Sequence, residues 1–147
     1  MPVVVVNGVA LDVDVSRFDP NHTTLSQWLR ALGNTGTKEG CAEGDCGACS
    51  IAIAVDGPSG KSWRSMTSCI APLGLLLGKE VVTAEGLADD DGALHPVQAA
   101  MVKHHGSQCG YCTPGFVTSM FEAYERDDLA RGDSAAVADQ LCGNLCR

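Results

Sequence analysis

The segment Lys38–Ser50 reads KEGCAEGDCGACS and places Cys41, Cys46 and Cys49 at a C-x4-C-x2-C spacing, with Cys69 after nineteen intervening residues. That is the plant-type spacing in which four thiolates hold a [2Fe–2S] cluster. It constrains the fold strongly, because one loop and one later segment must reach the same point. The residues between the cysteines suit a tight wrap. Gly40, Gly44 and Gly47 can take φ > 0 without a Cβ penalty. A backbone turning this way folds its N–H groups inward into a concave nest that favours negative sulfur. Glu43 and Asp45 are then expected to face solvent.

The eight cysteines also fit a disulfide framework, since an even count in a small chain invites one. Three features favour free thiols. The start, MPVVVVNG, has no basic n-region and only a four-valine run, unlike a signal peptide. A chain of 147 residues can bury a core without staples. Most of the cysteines also sit in close clusters. A reducing, cytoplasmic setting is therefore expected. The apolar stretch Leu73–Leu77 is far too short for a membrane span. A net charge of −8 argues against a nucleic-acid or membrane-surface partner, either of which would want a basic face.

Along the chain, Val3–Val6 and Leu11–Val15 flank Asn7-Gly8, a strong hairpin signal. Leu11, Val13 and Val15 alternate with Asp12 and Asp14, which predicts one buried and one wet face. Thr24 and Gln27 make a capping box, Leu25, Trp28, Leu29 and Leu32 form a helical stripe, and Gly33 ends it. After the cysteine loop, Ser50–Val55 alternates as a strand. The turn Asp56–Gly60 and a returning strand at Lys61–Met66 follow. A strand at Glu80–Thr83 closes the unit. This order describes a ferredoxin-like β-grasp, with its strand order unread.

Ala88-Asp89-Asp90-Asp91-Gly92 reads as a solvated linker, and beyond it the period is helical. His95 and Pro96 look like N-cap and N1, with Val97, Ala100, Met101 and His104 on one face. Thr113-Pro114 opens a second helix with Phe116, Val117, Met120, Phe121 and Tyr124 as its stripe. Arg126–Gly132 reads as a polar loop and Ser134–Leu141 as a short third helix. The expected fold class is α+β. A plant-type ferredoxin-like β-grasp domain spans 1–88, and a small all-α helical-bundle [2Fe–2S] domain spans 89–147.

Cys109 and Cys112 form a C-x2-C; Cys142 and Cys146 form a C-x3-C near the C-terminus. On spacing alone, an all-thiolate zinc site and a [2Fe–2S] cluster fit this set about equally. A thioredoxin-like redox pair is a third reading, but no βαβ context surrounds it.

The words around these cysteines carry a resemblance. SQCGYCTPGF followed by GNLCR resembles the iron-sulfur segment of the molybdenum hydroxylases, the xanthine oxidase family. There QCG-x-CTPG carries two ligands and GN-x-CRC-TGY the other two. KEGCAEGDCGACS resembles the ferredoxin-type loop of the same family, and its wording is most similar to the iron-sulfur part of bacterial xanthine dehydrogenase small subunits. The resemblance implies an electron-transfer component with two [2Fe–2S] clusters. Electrons would pass from a molybdopterin centre on a partner subunit through both clusters to an FAD domain, within a hetero-oligomer. It implies that Cys41, Cys46, Cys49 and Cys69 hold the cluster nearer the flavin, and that Cys109, Cys112 and Cys146 hold the one nearer molybdenum. Gln108 matches the glutamine whose amide contacts the pterin.

This sequence departs from the pattern at its end. The family's C-R-C stops at Arg147, so the fourth ligand of the second cluster is expected beyond it, in a longer subunit. Cys142 matches no ligand position and reads as a small buried residue. No residue reads as a substrate-level catalyst. His104 and His105 face different ways on a helix, His22 and His95 look like turn and cap residues, and Glu122 with Glu125 read as solvated. The favoured function is the electron-transfer component of a xanthine dehydrogenase, oxidising hypoxanthine and xanthine. The alternatives are an aldehyde or heterocycle dehydrogenase subunit, a free-standing ferredoxin-like carrier and a zinc-stabilised binding module.

Overall fold

A computed structural model describes residues 1–57, 60–126 and 133–146. Asn7 and Gly8 both take positive φ, 51° and 80°. That is the two-residue turn whose twist matches a hairpin, so Val6 pairs directly with Val9. The strands are β1 (Val3–Val6) and β2 (Val9–Asp12). The second strand therefore begins at the turn rather than at Leu11. Val13 is buried just beyond it, while Val15 is exposed.

The capping box forms as the sequence predicts. Gln27 N donates to Thr24 Oγ1 at 3.3 Å, and Thr24 N donates to Gln27 Oε1 at 3.0 Å. It starts α1 (Leu25–Ala31), which buries Leu25, Trp28 and Leu29. Leu32 is the exposed C-cap instead of a fourth member of the stripe, and Gly33 ends the helix at φ 90°.

Strands β3 (Ser50–Gly57) and β4 (Gly60–Thr67) pair antiparallel along their length. Pro58 and Ser59 of the expected turn lie outside the described residues. A 3-10 turn at Leu73–Leu76 leads to β5 (Glu80–Val82). The five-stranded sheet has the order β2-β1-β5-β3-β4, with β5 parallel to β1 and antiparallel to β3.

Both faces of this sheet are covered, and strand periodicity decides which residue serves which face. Ile51, Ile53 and Val81 pack with Trp28, Leu25 and Leu29 on the α1 side. Ala52 and Val82 point the other way and pack with Leu87, Val97, Val117 and Phe121. The helical part thus sits directly on the sheet. The acidic stretch before it is a folded turn, in which Gly92 N donates to Asp89 O at 2.8 Å and Asp89 N donates to Ala93 O at 2.9 Å.

His95 caps α2 (Pro96–Lys103) through its ring: Val97 N donates to Nδ1 at 3.3 Å, and His95 N donates to Gln98 Oε1 at 3.0 Å. Of the expected stripe, Val97 is buried and Met101 partly so, while Ala100 and His104 are exposed. α3 (Thr113–Glu125) buries Val117 and Phe121 and leaves Tyr124 exposed. α4 (Ser134–Gln140) is capped by Asp133 and leans on α3. Residues 127–132 of the expected polar loop, and Arg147, lie outside the described residues.

Glu122 departs from expectation. It is 5% exposed, not solvated. Its Oε2 accepts from Ser65 N at 2.7 Å, Ser65 Oγ at 2.5 Å and Gln140 Nε2 at 3.0 Å. One carboxylate therefore ties α3 to β4 and to α4.

Candidate metal centres

The loop between α1 and β3 has the inward-turned backbone its glycines suggest. Gly44 and Gly47 take φ of 86° and 73°. Gly40 does not take a positive φ, and its need is space: a Cβ there would lie 2.9 Å from Cys46 Sγ. Ala42, which the sequence does not single out, takes φ 57°. The N–H groups of Glu43, Asp45 and Cys46 donate to Cys41 Sγ at 3.3–3.4 Å, and Cys41 N donates to Cys46 Sγ at 3.4 Å. Glu43 and Asp45 are exposed, as expected.

Cys49 and Cys69 meet because Ser68 links the end of β4 to the loop. Its N–H and hydroxyl both donate to Cys49 O, at 3.3 and 2.7 Å. Cys49 and Cys69 are buried, Cys41 and Cys46 half-buried.

The electrostatics differ across the site. The N–H groups of Glu43, Cys46 and Asp45 hold the Cys41 thiol down at about 6. Burial pushes the Cys69 thiol up to about 12, with the adjacent Cys49 adding to the rise. Cys41 is thus stabilised as a thiolate chiefly by backbone N–H groups, whereas loss of the Cys69 proton is favoured by a cation bound at the sulfur. A nest of N–H donors at one end and two buried thiols at the other fit an anionic sulfur cluster with positive iron.

Among the described residues, no three His, Cys, Asp or Glu side chains converge as they would on a single ion. The thiols fall in pairs instead. Cys41 stands with Cys46 and Cys49 with Cys69. Pairs suit two irons sharing four thiolates better than one tetrahedral zinc.

The second set is assembled from the start of α3 and the C-terminal segment. Gly110 turns the chain at φ 83°, and Ser107 Oγ and Thr113 Oγ1, 2.8 Å apart, close the loop. Cys112 stands beside Cys146, and its thiol is pushed up, first by burial and then by Cys146, with Cys109 adding a smaller rise. Cys109, Cys112 and Cys146 line one cavity of about 250 Å³, and its opposite wall is Gly40, Cys46 and Ala48 of the first loop. Three soft donors round an apolar pocket fit a thiolate-held cluster.

The two loops are also bonded. Leu145 N donates to Cys46 O at 2.9 Å, Asn144 Nδ2 donates to Gly47 O at 3.4 Å, and the Tyr111 hydroxyl donates to Glu39 O. Two glycines permit this contact. A Cβ on Gly47 would meet Gly143 O at 2.6 Å, and one on Gly115, in the first turn of α3, would overlap Gly47 O.

Gln108 is exposed beside Cys109. Cys142 is exposed after α4, not the small buried residue the sequence suggests; its alanine-rich helix buries no residue and so gives it nothing to pack into. His22 bonds Asp19 at 2.8 Å and His95 is a cap, away from either thiol set. Sequence reasoning missed Glu122 and Gly115. Neither carried a signal in the sequence, because both lie on the α3 face opposite the apolar stripe of Phe116, Val117, Met120, Phe121 and Tyr124.

Two family profiles match the chain. A 2Fe-2S iron-sulfur cluster binding domain covers residues 9–73, and a [2Fe-2S] binding domain covers 83–147. The chain is 42% identical to xanthine dehydrogenase of Oryza sativa subsp. japonica over 128 residues, which is 86% of this chain and 9% of that protein. It is 41% identical to aldehyde oxidase 1 of Rattus norvegicus over 134 residues, or 90% of this chain and 10% of the relative. The chain thus spans about a tenth of these curated relatives. Among solved structures, quinoline 2-oxidoreductase from Pseudomonas putida 86 superposes with a TM-score of 0.77 at 31% identity, covering 99% of this chain and 82% of that one. Aldehyde oxidoreductase from Desulfovibrio gigas superposes at 0.79 and 35% identity, covering 99% and 15%. The chain belongs to the molybdenum hydroxylase family, as its iron-sulfur electron-transfer part, a ferredoxin-like domain followed by a helical [2Fe–2S] domain.

Proposed function

We propose that this chain is the electron conduit of a xanthine dehydrogenase, joining a molybdopterin-bearing partner to an FAD-bearing one in a cytoplasmic hetero-oligomer. The observation that carries the conduit is the shared cavity, where Cys46 of one thiol set faces Cys109, Cys112 and Cys146 of the other. Bound [2Fe–2S] clusters supply one-electron chemistry at modest reorganisation. The chain's own residues do the rest. Cys41, Cys46, Cys49 and Cys69 hold the first centre, and the N–H groups of residues 43, 45 and 46 stabilise negative sulfur there. Cys109, Cys112 and Cys146 supply three ligands of the second, whose fourth is a cysteine following Arg147. The exposed Gln108 offers an amide to the pterin. The division into domains at 88/89 follows the acidic turn. No described helix is long and apolar enough to cross a membrane, and the eight thiols are free.

The purine substrate rests on xanthine dehydrogenases such as those of Oryza sativa subsp. japonica and Arabidopsis thaliana, at 41–42% identity. Aldehyde oxidase 1, at 41%, supports aldehyde or heterocycle oxidation almost as well. Anaerobic addition of xanthine, an aldehyde or quinoline to the holoprotein separates them, since the true substrate bleaches the cluster absorbance. Bleaching by the aldehyde or quinoline alone rejects the purine reading. Low-temperature EPR of the reduced protein should show two distinct rhombic signals, because among the described residues the nest of N–H donors to sulfur lies in the first loop. A single signal rejects the conduit.

A further inference from the structure

We propose that Tyr111 is a positioning residue that holds the two ligand loops in register across their shared cavity. Its hydroxyl would then govern the interaction between the two iron-sulfur centres and not the iron bound. The proposal rests on the reading that both thiol sets carry clusters. Tyr111 stands between Cys109 and Cys112, yet its hydroxyl donates to the carbonyl of Glu39, two residues ahead of Cys41. Its ring passes beside Gly40, where an added Cβ would lie 3.8 Å from the ring edge and 2.9 Å from Cys46 Sγ. The residue is covalently part of one loop and bonded to the other.

The remaining ties between the loops come from the C-terminal segment, through Asn144 and Leu145. Among the described residues, the Tyr111 hydroxyl makes the one hydrogen bond from the 109–112 segment to the first loop. Core filling does not account for the side chain, because it is 49% exposed. A half-exposed ring whose polar tip reaches a neighbouring backbone serves to orient. Electron transfer and magnetic interaction between two centres both fall steeply with separation, so a tether at this point acts on both. Losing one neutral hydrogen bond corresponds to roughly a fivefold change in a local opening equilibrium.

The test compares Tyr111→Phe with Tyr124→Phe in the complete iron-loaded protein. These are the chain's two tyrosines, and Tyr124 lies on α3 away from both thiol sets, 54% exposed. Three quantities are measured: iron content, the magnetic interaction between the centres in low-temperature EPR, and hydrogen exchange of peptides covering 39–41 and 109–112. Tyr111→Phe should keep full iron, alter the interaction splitting and speed exchange in both peptides about fivefold. Tyr124→Phe should change none of the three. Unaltered splitting and exchange in Tyr111→Phe overturn the proposal. Loss of iron from that variant also overturns it, since the hydroxyl would then be needed to build the site and not to register it. One EPR signal in the unmodified protein fails the two-cluster reading itself.

Discussion

Gly115→Ala sets two calculable effects against each other. In an ordinary helix the change is favourable, by about 1 kcal/mol of backbone propensity. Here the new Cβ would overlap Gly47 O and lie 3.1 Å from Ala48 Cα, both backbone atoms of the ligand loop. Neither can rotate aside as a side-chain tip would, so the start of α3 must back away by roughly an ångström. Overpacking of this kind costs about 1–3 kcal/mol. The net is a loss of up to about 2 kcal/mol, which for a chain of this size lowers Tm by roughly 4–8 °C. The strain falls where Cys112 opens α3, so iron of the second centre should leave first on titration with a chelator. Thermal unfolding of the iron-loaded protein, with chelation followed at visible wavelengths, checks both. An alanine variant more stable than the parent by the full propensity gain of about 1 kcal/mol means that the loop gives way freely, and refutes the claim that Gly115 is there for contact.

Three further outcomes are expected. Glu122→Gln keeps the size but replaces an acceptor facing three donors, and should cost about 1–3 kcal/mol in denaturant unfolding of the iron-loaded protein; an unchanged midpoint would mean that α3 does not depend on it. Cys46→Ser should lower thermal stability as well as abolish the first centre's signal, because cluster binding there is folding free energy; unaltered unfolding contradicts this. Iron analysis of the 147-residue chain beside the same chain continued through Cys-Thr-Gly-Tyr should find the second centre labile only in the shorter form. Full iron in both, with loss on Cys142→Ser only in the shorter one, would make Cys142 the ligand.

What could be read from the sequence was local. Asn7-Gly8, the Thr24–Gln27 box and the His95-Pro96 start each satisfy backbone groups within a few residues, so short words specify them. The offset of β2 has the same origin. A two-residue turn sets where the strand begins, while the alternation holds for Leu11 and Val13, which face the core, and fails at Val15 beyond the strand. The first thiol set could be proposed from spacing alone, because the plant-type spacing is itself a statement of geometry. The second needed the surrounding words, since its pairs come from opposite ends of the helical part. Glu122 was not legible, because its donors, Ser65 and Gln140, lie on other elements. Gly115 was missed for the same reason: what it avoids is the backbone of a distant loop.

The sheet order has a consequence for the order of synthesis. β5 is the strand between β1 and β3, and Val5 pairs in parallel with Glu80. All four thiols of the first set are therefore translated before the strand that completes the sheet behind them. Non-local pairing of this kind is slow to form. On the ribosome, Cys41, Cys46 and Cys49 are carried by a chain whose β1–β2 hairpin can pack on α1 but has no further strand beside it. Iron delivered at that stage meets a flexible tether and binds weakly. Iron delivered after Val82 has emerged meets a closed sheet and a fixed Cys69, so cluster insertion belongs after translation of this unit.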